Sequence, residues 1–198
     1  AGANGRVGAA DLKRARGALA EADVIVTQLE IPLPAVEQLA ELARELGRRL
    51  ILNPAPAPAG PLPEAVMASA YLVTPNESEA ERMSGIRVDG AAGAARAAAE
   101  LRRQGAGRVI ITLGGQGLYG LDESGEFHLT AHRVDVVDTV GAGDAFTGAL
   151  AAALAEGQSL AAGCRFATAA AALSVTQRGA QDAMPARPEI ERFMAEHP

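Results

Sequence analysis

Seven consecutive residues, Asp138-Thr139-Val140-Gly141-Ala142-Gly143-Asp144, set two glycines and two carboxylates between a β-branched run and an alanine-rich stretch. Glycine adopts backbone angles closed to other residues, so the N–H groups of Ala142, Gly143 and Asp144 can converge on one point at the start of a helix. Such a convergence is an anion hole. Fixed donors of this kind stabilise the charge that a phosphoryl group carries on its peripheral oxygens during transfer, without having to reorganise. Asp144 then stands beside the same point as a carboxylate able to take a hydroxyl proton. A plainer role competes with this one, because Asp after a glycine turn is a common helix N-cap. The short glycine motif alone does not separate the two.

Other residues fall in patterns of the same kind. Asn76 and Glu79 have the spacing of a capping box, in which each side chain satisfies an amide at the start of a helix. Thr112-Leu113-Gly114-Gly115-Gln116-Gly117 follows a β-branched run, and its glycines allow a ligand close to the backbone; as a bare turn it is unremarkable. Glu30 follows another such run and reads either as a ligand contact or as a solvated turn carboxylate. His128 and His132 are four apart in a strand-like region without an acidic or cysteine partner at ligand spacing, so they read as surface residues. Met67, Met83 and Met184 read as packing residues and Cys164 as core.

These residues need elements to hold them. The chain alternates short β runs, at 24–27, 50–52, 71–73 and 108–113, with helical patterns at 34–46, 63–69, 76–83 and 91–104. That alternation predicts an α/β fold, a mostly parallel sheet covered by helices on both faces. Runs at 118–121, 126–130 and 133–137 predict short antiparallel strands at one sheet edge. Helices follow at 145–155, 160–173 and near 188–195. In open parallel sheets ligands gather beyond the carboxyl ends of the strands. There the sequence places Gln28 and Glu30, then Asn53, then Thr74, Asn76 and Glu79, and last Thr112 with its glycine turn.

Composition bounds the function. A chain of 198 residues, 48% hydrophobic, carries one sizeable core and reads as a single compact domain over 1–198. A net charge of −6 with no dense basic run points away from nucleic acid and anionic membranes, towards a small solute. The lone Cys164 offers no disulfide framework, which suits a cytoplasmic setting. The apolar run 145–155 is too short to span a bilayer. No G-x-G-x-x-G follows the first strand, which argues against a dinucleotide-dependent dehydrogenase. The first residues, AGANGRVG, lack an initiator methionine and read as the continuation of a longer chain.

The stretch DTVGAGDAFTGAL resembles the C-terminal signature of the ribokinase, or PfkB, family of carbohydrate kinases. Further segments resemble that family in the same order: QLE at 28–30, LNPAPA at 52–57, TPNESEAE at 74–81, ITLGGQG at 111–117 and RFATAAAALSVTQRGAQ at 165–181. The resemblance implies a three-layer ribokinase-like fold, here without the N-terminal sugar-binding segment and its lid. It implies an ATP-dependent sugar kinase with Asp144 as general base, aided by Gly141, Ala142 and Gly143, and with D-ribose as first-choice substrate. By the same resemblance Asn76, Thr112, Leu113, Gly114, Gly115, Gln116, Gly117, Gly143, Asp144 and Thr168 would face ATP, Glu30 and Asp144 the sugar, and Glu79 a Mg²⁺ through water. Asp138, Val140, Ser174, Gln177 and Gly179 match a K⁺ loop, while Ala183 lacks the side-chain oxygen usual at its position. The family forms homodimers. Kinases acting on fructose, a deoxysugar or a nucleoside, and a non-catalytic nucleotide-binding protein, stand as alternatives.

Overall fold

The computed structural model describes residues 2–197. Their contacts divide the chain into two compact units, Ala1–Leu113 with Tyr119–Phe127, and Gly114–Leu118 with His128–Pro198.

The first unit is built on helix–strand alternation. Helix α1 (Ala9–Glu21) leads to β1 (Val24–Thr27), α2 (Leu33–Glu45), β2 (Arg49–Leu52), α3 (Glu64–Ser69), β3 (Leu72–Val73), α4 (Glu77–Ser84), α5 (Ala91–Arg103) and β4 (Val109–Thr112). β5 (Leu118–Asp122) and β6 (Gly125–Leu129) follow, and the sheet runs β1-β2-β3-β4-β5-β6. β1 to β4 are parallel, in the register Thr27 to Leu52 to Val73. β5 and β6 form a hairpin at the antiparallel edge. Leu50, Ile51, Leu52 and Ile110 are fully buried, as expected for strands covered on both faces. α2 contributes Val36, Leu39, Ala40 and Ala43 to that core, and α5 contributes Ala94, Ala97, Ala98 and Leu101. Both sets have helical spacing.

Polar groups at the amino ends of these strands satisfy one another. The Arg108 guanidinium lies 4.1 Å from the centre of the Tyr71 ring and pairs with Glu123.

The second unit packs α6 (Ala142–Ala155), α7 (Leu160–Ser174) and α8 (Arg187–Glu196). Its core combines alanines of α6 and α7 with Phe166, Ile190 and Phe193. Small residues let these helices approach closely, and Cys164 is buried among them. His132, expected at the surface, is half-buried: its ring packs edge-on against Phe193 at 5.0 Å, and desolvation lowers its pKa.

Two elements differ from expectation. The segment 133–137 is not a strand: Val136 and Val137 are 62% and 54% exposed, and only Val134 packs against the helices. Its β-branched residues have no partner strand, and β propensity reflects fit to a pleated neighbour rather than an intrinsic preference. α1 was not expected at all. None of its residues is buried, so its sequence lacks a strong apolar stripe, although Leu12 and Leu19 lean on the core. Among the described residues no helix is long and apolar enough to cross a membrane.

Candidate functional site

The ladder of the first unit continues past the ends of its strands. Asn53 N–H donates to Thr27 O at 2.9 Å, Thr74 N–H to Leu52 O at 2.9 Å, Leu29 N–H to Ala55 O at 2.8 Å and Thr112 N–H to Pro75 O at 3.0 Å. An isolated parallel bridge joins Asn76 to Thr112. Glu30, Asn53, Thr74, Asn76 and Thr112 thus belong to one laced carboxyl rim, as the sequence led one to expect. Glu30 is exposed and accepts a hydrogen bond from Asn4 Nδ2 at 3.1 Å. Sequence reasoning missed Asn4, since no periodicity connects residues 26 apart.

Asn76 is the N-cap of α4. Its Oδ1 accepts from Glu79 N–H at 2.9 Å, and Glu79 Oε2 accepts from Asn76 N–H at 2.9 Å. The local expectation of a capping box therefore holds in full. Glu79 is nonetheless only 6% exposed. Burial raises its pKa above the ordinary 4.5, with the bonds to Asn76 working the other way. A carboxyl raised in the folded state favours folding below its unfolded pKa, and that contribution is lost as pH rises through the folded value. At neutral pH the charged form carries a cost that a nearby cation would offset. Glu79→Gln keeps the acceptor for Asn76 N–H and removes that cost, so its melting temperature is expected to equal or exceed that of the parent protein. Asn76→Ala, which loses the cap, is expected to cost about 1 kcal/mol in thermal or denaturant unfolding. If Glu79 also serves a magnesium ion, Glu79→Gln is expected to lower turnover roughly 10–100-fold despite the retained stability.

In the second unit Gly141 starts α6. It adopts φ +81°, and a Cβ there would lie 3.2 Å from Ala180 Cα. The left-handed φ is what favours glycine here, while the added carbon would ask Ala180 to give by only a few tenths of an ångström. α6 begins at Ala142, earlier than the sequence indicated, which puts Asp144 in its first turn. Ala142 N–H is engaged by Thr139 O at 3.3 Å, so its share in the expected anion hole is reduced. Around Gly143 a Cβ would meet nothing within 4 Å, which leaves its backbone open to a ligand. Asp144 is exposed and heads a cavity of about 270 Å³ lined by Gly148, Ala149, Phe166, Met184 and Arg187. A carboxylate so placed can reach a solute.

Asp138 ties two loops together. Its Oδ1 accepts from Val140 N–H at 3.1 Å and its Oδ2 from Gly179 N–H at 3.1 Å. Val137 and Asp138 N–H groups both donate to Val175 O, at 2.8 and 3.2 Å. These bonds, that of Gly179 first, hold the Asp138 carboxyl below its usual pKa. The Ser174 hydroxyl donates to Ala171 O at 2.8 Å, and the Ser174 carbonyl oxygen receives Gln177 N–H at 3.4 Å. Ala183 is buried and brings no oxygen.

Gly114–Gln116 forms a 3₁₀ turn, with Leu113 buried before it. Gly114 and Gly115 have open space where a Cβ would stand, as nucleotide approach requires. Gly117 differs: a Cβ there would lie 1.9 Å from the Leu129 carbonyl oxygen, so chain crossing already demands glycine. Thr168 donates its hydroxyl to Cys164 O at 2.8 Å and lines a cavity of about 280 Å³ with Thr130, His132, Arg165 and His197.

The pattern of the pfkB family carbohydrate kinases matches residues 2–187. A ribokinase of Haemophilus influenzae is 36% identical over 98% of this chain and 62% of its own length. A deoxyribokinase of Salmonella typhi is 34% identical over 98% of this chain and 63% of its own. Arabidopsis thaliana ribokinase, solved with ribose and ATP, superposes with a TM-score of 0.86 at 30% identity, over 91% of this chain and 58% of that one. The chain thus spans about 62% of the length of the curated ribokinase it matches. The family pattern covers nearly the whole chain, and the chain belongs to the pfkB family of carbohydrate kinases.

Proposed function

We propose that this chain is the nucleotide-binding and catalytic part of an ATP-dependent kinase that phosphorylates the primary hydroxyl of a small sugar, with D-ribose the first-choice acceptor. The observation that carries the reading is the start of α6, where a left-handed Gly141 launches the helix and Asp144 lies exposed in its first turn. The partial positive charge of a helix N-terminus favours a phosphate oxygen. Open backbone at Gly143 lets that oxygen approach. Asp144 then accepts the proton of the sugar hydroxyl as it attacks the γ-phosphorus, and the ATP leaving group departs as ADP.

The remaining residues supply binding. Glu30 would accept hydrogen bonds from the sugar, while Asn76, Thr112, the turn 113–117 and Thr168 would face the nucleotide. Glu79 suits a hydrated magnesium, since it is a buried carboxylate already oriented by Asn76 and its charge is costly without a cation. Bound there, magnesium would neutralise phosphate charge. The loops joined by Asp138, with the carbonyls of Val140, Ser174, Gln177 and Gly179, suit a potassium ion, which takes several neutral oxygens.

Ribokinases and a deoxyribokinase are both among the relatives, so the acceptor is decided by assay. The full-length protein is expected to release ADP from ATP in a ribose-dependent manner, more efficiently than with deoxyribose, fructose or a nucleoside. Preference for one of those acceptors would replace ribose, and sugar-independent ATP binding without turnover would favour the non-catalytic reading.

A further inference from the structure

We propose that Asn4 is a positioning residue that aims the Glu30 carboxylate at the sugar acceptor, a proposal that rests on the reading of Glu30 as a sugar contact. Glu30 lies just beyond the carboxyl end of β1, where the bond from Leu29 N–H to Ala55 O at 2.8 Å fixes the backbone. Its side chain is exposed, so burial does not choose its rotamer. Asn4 supplies that choice through the bond from its Nδ2 to Glu30 Oε2 at 3.1 Å.

Asn4 is itself firmly mounted. It opens the 3₁₀ turn Asn4–Arg6, closed by Arg6 N–H to Ala3 O at 3.0 Å and Val7 N–H to Asn4 O at 3.2 Å. The turn leads into α1, where Asp11 Oδ2 accepts from Gly8 N–H at 2.9 Å. A neutral amide suits the task better than a basic side chain. One amide hydrogen occupies one lone-pair site of a carboxylate that has about four, so Glu30 keeps its charge and most of its acceptor capacity for hydroxyls. A bidentate guanidinium would take both oxygens. Because both partners are exposed, the bond adds little to stability, and its consequence is orientation.

The test uses the full-length protein with D-ribose and ATP. Asn4→Ala is expected to raise KM for ribose roughly 3–10-fold, the effect of freeing one side chain that must be ordered on binding. KM for ATP, kcat and the melting temperature should stay as in the parent. Asn4→Asp should raise ribose KM further, because a like charge then faces Glu30. In a Glu30→Ala background, Asn4→Ala should add nothing. The proposal is overturned if Asn4→Ala leaves ribose KM unchanged while Glu30→Ala raises it, or if Asn4→Ala acts equally in both backgrounds. Should Glu30→Ala itself leave ribose KM unchanged, the reading of Glu30 as a sugar contact falls, and this inference with it.

Discussion

Replacing Asp144 by Asn in the full-length protein is expected to lower kcat by roughly 10²–10⁴-fold while ATP binds as before. The substitution keeps size and leaves the backbone at Gly143 and residue 144 in place, so the donors offered to phosphate are unchanged. What it removes is the ability to accept a proton. Asp144 lies in the first turn of α6 and is exposed, so the loss of its favourable charge at the helix N-terminus costs only about 0.3–1 kcal/mol. A purely structural Asp would therefore reveal itself as a small loss of melting temperature with turnover intact. A catalytic one gives the reverse. Single-turnover kinetics alongside ATP-binding calorimetry separate the two, and unchanged turnover would remove Asp144 from the role of base.

The same experiment divides the two classes of function open to this chain. A protein that only binds nucleotide has no use for an exposed carboxylate beside an open amide. A kinase needs both. The pfkB family membership favours the kinase, and the covered share of the ribokinase relative, 62% of its length, is why the assay belongs to the full-length protein.

Much of this was legible in the sequence because it is local. Runs such as Leu50 to Leu52 announce buried parallel strands by composition alone, and Asn76 with Glu79 announces a helix start by spacing alone. The glycine turn before α6 was visible for the same reason, although its onset at Ala142 was not, since Gly141 and Gly143 on either side of Ala142 weaken the helical signal before Ala145. What sequence could not supply was contact between distant residues. Residues 133–137 read as a strand because propensity does not say whether a neighbour is present. The bond from Asn4 to Glu30 and that from Gly179 to Asp138, 41 residues apart, exist only once the chain has folded. The residues matched to a potassium loop were reached through resemblance, and the bonds from Val140 and Gly179 to Asp138 show why those three lie together.

Gly117, which the resemblance assigns to the nucleotide, is demanded by the fold for a separate reason. Its Cβ would stand 1.9 Å from Leu129 O and 2.8 Å from Ala131 N, at a φ of +98°. Neither neighbour is the end of a flexible side chain. Both are backbone, so an alanine forces the two chain segments apart as well as straining its own φ. Gly117→Ala is therefore expected to destabilise the protein by about 3 kcal/mol or more, combining overpacking with a left-handed non-glycine residue. For a chain of this size that corresponds to a drop of roughly 6–12 °C in melting temperature. Gly115→Ala, with nothing within 4 Å of the added carbon, should melt with the parent protein. If the turn receives the nucleotide, Gly115→Ala should instead raise KM for ATP, because the methyl group then occupies space a ligand needs. The pair thus separates a glycine demanded by the fold from one left open for a ligand. Equal melting of both variants would show that the chain crossing at Leu129 is looser than these distances require.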